Sequence, residues 1–336
     1  MQFKQSIAKI FLGILFLFLV FLLHIGFGSA IDYSPLQVLG AILRGQANGT
    51  GSTAQFVVWQ LRLPRAFGCV LAGALLGGAG SVFQALFRNP LADPYIMGTA
   101  SGAAIGGVLA TIAGWSVLYW GLAVPFCAFI GGMVSLGIVL ALSSRAGKVE
   151  PNIMLLSGVL VGSVLSGLLS LAMEVSGQKQ QILNWLLGAV DPMSWPKILM
   201  MSGVLLVCTV PLLLESRRLN AFALGEAVAA RLGVDTVRLR NMILLLGTAM
   251  TAAAVGSTGI IAFVGLIAPN AARKWLGVDW RISFLGSMIA GAATLLLADA
   301  ISQRILNDGL PVGIITSVLG APILVVLLRS RSKKSI

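Results

Sequence analysis

The chain has 336 residues, 57% hydrophobic and 10% charged, with a net charge of +12. A soluble domain carries about 25% charged residues, so there is too little charge here to coat a water-soluble globule. The apolar residues come in long runs, not in the alternation over roughly ten-residue strands that a transmembrane β-barrel requires.

Ile10 to Phe27 holds no acid or base except His24, and Leu199–Leu214 and Met242–Ala268 hold none at all. Runs of about 18 or more such residues cross a bilayer as helices. The 40 glycines fit, since Gly lets membrane helices approach closely. The pattern predicts an all-α polytopic membrane protein, one domain over residues 1–336, with ten spans near 7–28, 64–87, 94–113, 116–142, 151–173, 196–214, 236–256, 259–275, 281–303 and 310–329. The eighth is short and broken by Gly and Pro. Lys4, Lys9, the first apolar run and Gly28-Ser29-Ala30 resemble a secretory signal, but the run exceeds the usual 7–15-residue signal core.

With the N-terminus inside, 17 of the 23 Lys and Arg residues fall on the inner side and six on the outer, among them Arg62, Arg65 and Arg304. The positive-inside rule selects this orientation, with both termini cytoplasmic. The excess charge is then an orientation signal facing anionic lipid, and nucleic acid is not needed to explain it.

Taken in chain order, Asn89-Pro90 ends the second span, because the residue before Pro avoids the helical region. Asp93-Pro94 restarts a helix, with Asp93 as cap and Pro94 in its first turn. The outer stretch Ser176 to Lys197 reads as an interfacial helix with Trp185 and Trp195 at headgroup depth. The inner stretch Glu215 to Arg240 contains a short helix, Glu226 to Leu232, bracketed by Gly225 and Gly233.

The three cysteines, Cys69, Cys127 and Cys208, lie in apolar runs without metal-ligand spacing, and no cofactor is expected. There is no GxxxxGK[ST] phosphate loop, so ATP hydrolysis is not expected in this chain. His24 is the single histidine and reads as a packing residue. The intramembrane acids are Glu174 and Asp299, each near the outer end of its span. Paired carboxylates at mid-membrane are missing, which argues against an ion-coupled carrier or a membrane-embedded enzyme and for an external motor.

Five ordered segments carry a resemblance: Val58-Trp59-Gln60-Leu61-Arg62-Leu63-Pro64-Arg65; Gln84 through Arg88-Asn89-Pro90-Leu91-Ala92-Asp93-Pro94; Leu224-Gly225-Glu226 with Ala230 and Leu232-Gly233; Gly259 through Pro269 to Arg273; and Leu310-Pro311-Val312-Gly313 with Gly320-Ala321-Pro322. Over nearly its whole length the chain resembles the permeases of ABC importers for iron–siderophores, haem and cobalamin. The resemblance implies a transport subunit without its own ATPase, in the bacterial cytoplasmic membrane. Its partners would be a second permease copy, two cytoplasmic ATP-binding subunits and an extracytoplasmic binding protein. The ATPase-coupling element would lie within residues 222–233, on Leu224, Gly225, Glu226, Ala230, Leu232 and Gly233.

Arg62, Arg65 and Arg304 would dock the binding protein. Read as exposed at the first turn of the second span, Arg62 and Arg65 crowd two like charges at the positive helix end, which an acidic partner would offset. Gln84, Asn89, Pro90, Asp93, Pro94, Pro269, Asn270 and Arg273 are turn or gate candidates. An iron–siderophore is the expected cargo, as the commonest class in the family. The chain departs from the family pattern at Asn270, where His is usual, at Gly309, where Glu is usual, and at Gln303, where an outer Arg is usual.

Overall fold

The computed structural model describes residues 2–26, 35–45, 53–145, 148–149, 151–190, 193–305 and 310–332. Asp308, Gly309 and the Gly28–Ala30 stretch lie outside them. The architecture is all-helical except for a two-residue antiparallel ladder, Ser144–Arg145 with Lys148–Val149. In order the helices are α1 (Gln2–Gly26), α2 (Pro35–Arg44), α3 (Thr53–Phe56), α4 (Leu63–Leu86), α5 (Thr99–Ile112), α6 (Ala123–Ser143), α7 (Pro151–Ser176), α8 (Lys179–Leu186), α9 (Trp195–Leu214), α10 (Ser216–Ala223), α11 (Glu226–Arg231), α12 (Thr236–Thr258), α13 (Val264–Leu276), α14 (Trp280–Ile305) and α15 (Val312–Ser332).

Among the described residues, seven helices are long and apolar enough to cross a membrane: α1, the rod Thr53–Leu86, α6, α7, α9, α12 and α14. The ten expected spans also counted α5 and α13, which are shorter, and α15, whose apolar part covers only Val312–Val326. The 13 residues of α13 rise roughly 20 Å, against a hydrocarbon core of about 30 Å. An irregular, non-helical stretch from Gly259 to Phe263 precedes it, ending at Phe263 in left-handed backbone. The 14 residues of α5 follow a 3-10 turn, Pro94–Met97, that ends at left-handed Gly98. Beyond α5 the chain bends by 102° into Trp115–Gly121.

The second span does not begin at Pro64. The helix is continuous from Thr53, passing through a π-helical segment Val57–Arg62. Pro64 has no N–H for the Gln60 carbonyl, and the ladder widens just ahead of it, Leu63 donating to Val58. Arg62 and Arg65 therefore sit inside a long rod, not at a helix start.

The core is built on α4, α12 and α14, whose apolar windows are 89%, 78% and 61% buried, against 17–33% for α1, α6, α7 and α9. Small residues bring their backbones together. A Cβ on Gly73 would fall 2.4 Å from the Gly291 carbonyl oxygen of α14, and one on Gly80 would fall 1.8 Å from that of Gly265 in α13. Such contacts replace the hydrophobic drive that lipid removes.

Candidate functional site

The polar groups collect at the two ends of the bundle. At one end lie Lys9, whose Nζ donates to the Trp275 carbonyl at 3.0 Å, Asn220, whose Oδ1 accepts from the Trp280 amide at 2.8 Å, and Glu226, which pairs with Arg240 at 3.3 Å. At the other end lie His24, Arg65 and Asp299.

The His24 end holds a network that the chain order hides. Asp299 is fully buried on α14. Its two oxygens accept from Arg65 Nε and Nη2 at 2.9 and 3.0 Å. Its Oδ2 also meets His24 Nε2 and Gln303 Nε2, each at 2.7 Å. His24 is thus a buried hydrogen-bond partner of the carboxylate as well as a packing residue. Cys69 joins His24 and Asp299 with ligand atoms within 4.8 Å of one another, and the guanidinium engages both carboxylate oxygens.

Arg62 is buried as well, its Nη1 donating to the Ile25 carbonyl at 3.0 Å. The exposed arginine pair is therefore corrected: both side chains turn onto neighbouring helices, Arg65 keeping 20% of its side chain exposed. Arg304 is exposed near the end of α14, and Gln303, not Arg304, enters the cluster.

The turn candidates meet at the opposite end. Gln84 is buried and donates to the Leu266 carbonyl at 3.3 Å, while its Oε1 accepts from Arg273. Asn270 donates to the carbonyls of Pro90 and Leu266, both at 2.8 Å, and accepts from Arg273 at 3.1 Å. Pro269 is buried within α13. Asn89 accepts from the Leu91 amide at 2.9 Å, forming the tight turn after α4. Asp93 caps the 3-10 turn, accepting from the Tyr95 amide at 2.8 Å, and Pro94 follows it. Burial pushes the Asp93 carboxyl up to about 6, against the pull of that amide.

Between the ends, the turn before α5 touches the stretch before α13. The Tyr95 hydroxyl donates to the Ile261 carbonyl at 2.9 Å and accepts from the Ile261 amide at 3.2 Å. Backbone that is not helical at membrane depth needs such partners inside the protein. Trp185 is half-buried and packs against Ala103, Ala128 and Val255.

At the Glu226 end lies the helix pair α10 and α11, joined at Leu224-Gly225. Leu224, Val228 and Leu232 are 71%, 42% and 65% exposed, and Ala230 is exposed beside them. Gly225 has φ 124°, ψ 145°, open only to Gly, and Gly233 ends the helix at φ 79°.

Apolar helices with polar networks at their two ends, interrupted spans meeting inside and an apolar-tipped helix pair at one end make up a multi-pass membrane protein built for transport. A profile of the FecCD transport family matches residues 15–330. The chain is 37% identical over 289 residues to the cobalamin import system permease protein BtuC of Halobacterium salinarum, covering 86% of this chain and 77% of that one. It is 35% identical over 284 residues to the vitamin B12 import system permease protein BtuC of Klebsiella pneumoniae, covering 83% and 84%. An inward-facing metal-chelate type ABC transporter superposes with a TM-score of 0.84 at 30% identity, over 96% of this chain and 99% of that one. The chain belongs to the FecCD transport family and is an ABC importer permease.

Proposed function

We propose that this permease carries cobalamin across the bacterial cytoplasmic membrane, with ATP hydrolysed by two partner subunits. The observation that carries the substrate is the 37% identity to a named cobalamin permease over most of the chain. The iron–siderophore expectation rests on the prevalence of that class, and no residue here favours it. Haem is the third chelate the family resemblance admits. In the ten-span reading, α5, α13 and α15 complete their crossings with the segments beside them, and both termini face the cytoplasm.

The exposed apolar residues Leu224, Val228 and Leu232 suit insertion into a cleft of the ATPase, with Gly225 setting the angle between α10 and α11. Arg65 and Arg304 are the outer arginines that an acidic binding protein can reach, since Arg62 is buried. A second permease copy completes the pathway. Gln84, Asn270 and Arg273 hold the inner ends of α4 and α13 together and are the gate candidates.

The test is ATP-dependent uptake of labelled cyanocobalamin into proteoliposomes holding the permease, its ATPase and its binding protein. A ferric siderophore and haem are run in parallel. Uptake of the siderophore or haem without cobalamin would reassign the substrate and leave the import assignment intact.

A further inference from the structure

A cavity of about 230 Å³ lies at the Glu226 end of the bundle, between the end of α4, the turn at Arg88, α13 and the start of α14. Its polar lining is Ser81, Gln84, Arg88, Arg273, Trp280 and Ser283. Two of these residues are arginines and none is an acid. Arg88 is exposed and stands in left-handed backbone, φ 49°. Among the described residues no acid pairs with it. Arg273 is held on the wall by the side-chain oxygens of Gln84 and Asn270.

The floor supplies an independent observation. Trp280 is 4% exposed and stacks on Phe284, ring centroids 4.6 Å apart. Its indole Nε1 is buried without a hydrogen-bond partner. Folded proteins rarely leave such a donor unpaired. Two guanidinium groups and a dry N–H form a donor-rich lining, and what complements it is an anion with several acceptor oxygens. The cavity is smaller than the roughly 300 Å³ at which drug-sized pockets begin, which suits a single oxyanion. The neighbouring Asp279 is engaged elsewhere, accepting from the Arg281 amide at 3.0 Å and from Asn220 at 3.5 Å.

We propose that this cavity is an oxyanion site for one phosphate group, supplied either by free phosphate in the adjoining aqueous phase or by the headgroup of an anionic lipid. Arg88 Nη1 lies 3.3 Å from where a Cβ on Gly225 would stand. A bound anion therefore fixes the Arg88 turn against the α10–α11 joint. The site goes beyond the transport reading and stands without it, because binding is measured directly.

The experiment uses the full chain in nanodiscs of phosphatidylcholine, titrated with inorganic phosphate at constant ionic strength, with chloride as control. Thermal unfolding and broadening of the phosphate ³¹P resonance are the readouts. A second arm replaces free phosphate with phosphatidylglycerol in the nanodisc. Saturable stabilisation in the first arm assigns free phosphate, and stabilisation in the second arm assigns the lipid headgroup. In either case Arg88→Gln and Trp280→Phe should weaken the response at least tenfold. Arg88 is exposed, so its removal leaves the core intact, and Phe preserves the ring stack while deleting the donor. No response in either arm, a response equal to that of chloride, or variants that respond like the parent would each overturn the proposal. Loss of ATPase assembly in Arg88→Gln without any phosphate or lipid response would also overturn it, in favour of a protein carboxylate.

Discussion

Asp299 and Arg65 lie 234 residues apart in sequence and meet through two hydrogen bonds of 2.9 and 3.0 Å, with the carboxylate fully buried. Through His24 and Gln303 the same carboxylate ties α1 to α4 and α14. An acid at this depth is tolerated because its charge is matched on several sides.

Removing one partner strands the other. Arg65→Ala and Asp299→Ala should each destabilise the chain by about 3–5 kcal/mol, and the double variant by clearly less than their sum. Thermal unfolding in detergent reads the cycle. Arg65→Glu should be worse than Arg65→Ala, because it sets a second carboxylate against Asp299. Additive losses would show that the two residues do not depend on each other.

Gly225→Ala should insert normally and lose transport. Its φ of 124° is closed to a side chain, while among the described residues the atom near an added Cβ is Arg88 Nη1 at 3.3 Å. The strain of about 1–3 kcal/mol is relieved by re-aiming α11 at the exposed end of the molecule. Basal ATPase activity should persist in the assembled complex while uptake falls at least tenfold. Gly137→Ala, with nothing within 4 Å, is the control. Normal uptake by the Gly225 variant would remove that joint from the coupling element.

Gly73→Leu should prevent the chain from accumulating in folded form. The added Cβ alone would stand 2.4 Å from a backbone oxygen of α14, and backbone cannot step aside as a side chain can. Size-exclusion profiles of the detergent-extracted variant report the outcome. A monodisperse peak at parental yield would mean that α4 and α14 pack less closely than described.

Asp93→Asn should remove a pH dependence. The carboxyl is raised from 3.8 to about 6 by burial. The folded chain thus holds this proton more firmly than the unfolded one. The resulting stability is fully present below about pH 4 and is lost as the pH rises through about 6. Asn keeps an acceptor for the Tyr95 amide without the charge, so at pH 7 the variant should be more stable by about 1–3 kcal/mol. Parallel unfolding curves from pH 4.5 to 7 for the two proteins would refute this account.

Single cysteines at Gln180 and Ala227, in a background without Cys69, Cys127 and Cys208, should label from opposite sides of the membrane. Impermeant maleimide should reach Gln180→Cys in intact cells and Ala227→Cys only after the inner face is opened. Labelling of both from outside would overturn the orientation.

The long apolar runs made α1, α6, α7, α9, α12 and α14 legible in sequence, because a membrane helix is written in composition. Asn89-Pro90 and Asp93-Pro94 were legible as a break because Pro and Asp act on their nearest neighbours. The start of the second span was not. Arg62, Pro64 and Arg65 read as a helix start, yet the helix runs through them by widening into π turns. The His24–Asp299 contact was hidden for a different reason. Its members are 275 residues apart, and each alone is an ordinary polar residue near a span end. Burial turned Arg62 and Arg65 inward, where the linear pattern of charges pointed them at water.

Tyr95 joins the 3-10 turn before α5 to the non-helical stretch before α13 through both backbone groups of one residue, Ile261. Sliding either segment past the other breaks the two bonds together and leaves an amide and a carbonyl dry at once. The resistance is therefore stepwise: the joint holds until it lets go, as a detent does, with no gradual stretch between. Rearrangements smaller than that step must be taken up elsewhere in the bundle, with these two segments travelling as one piece.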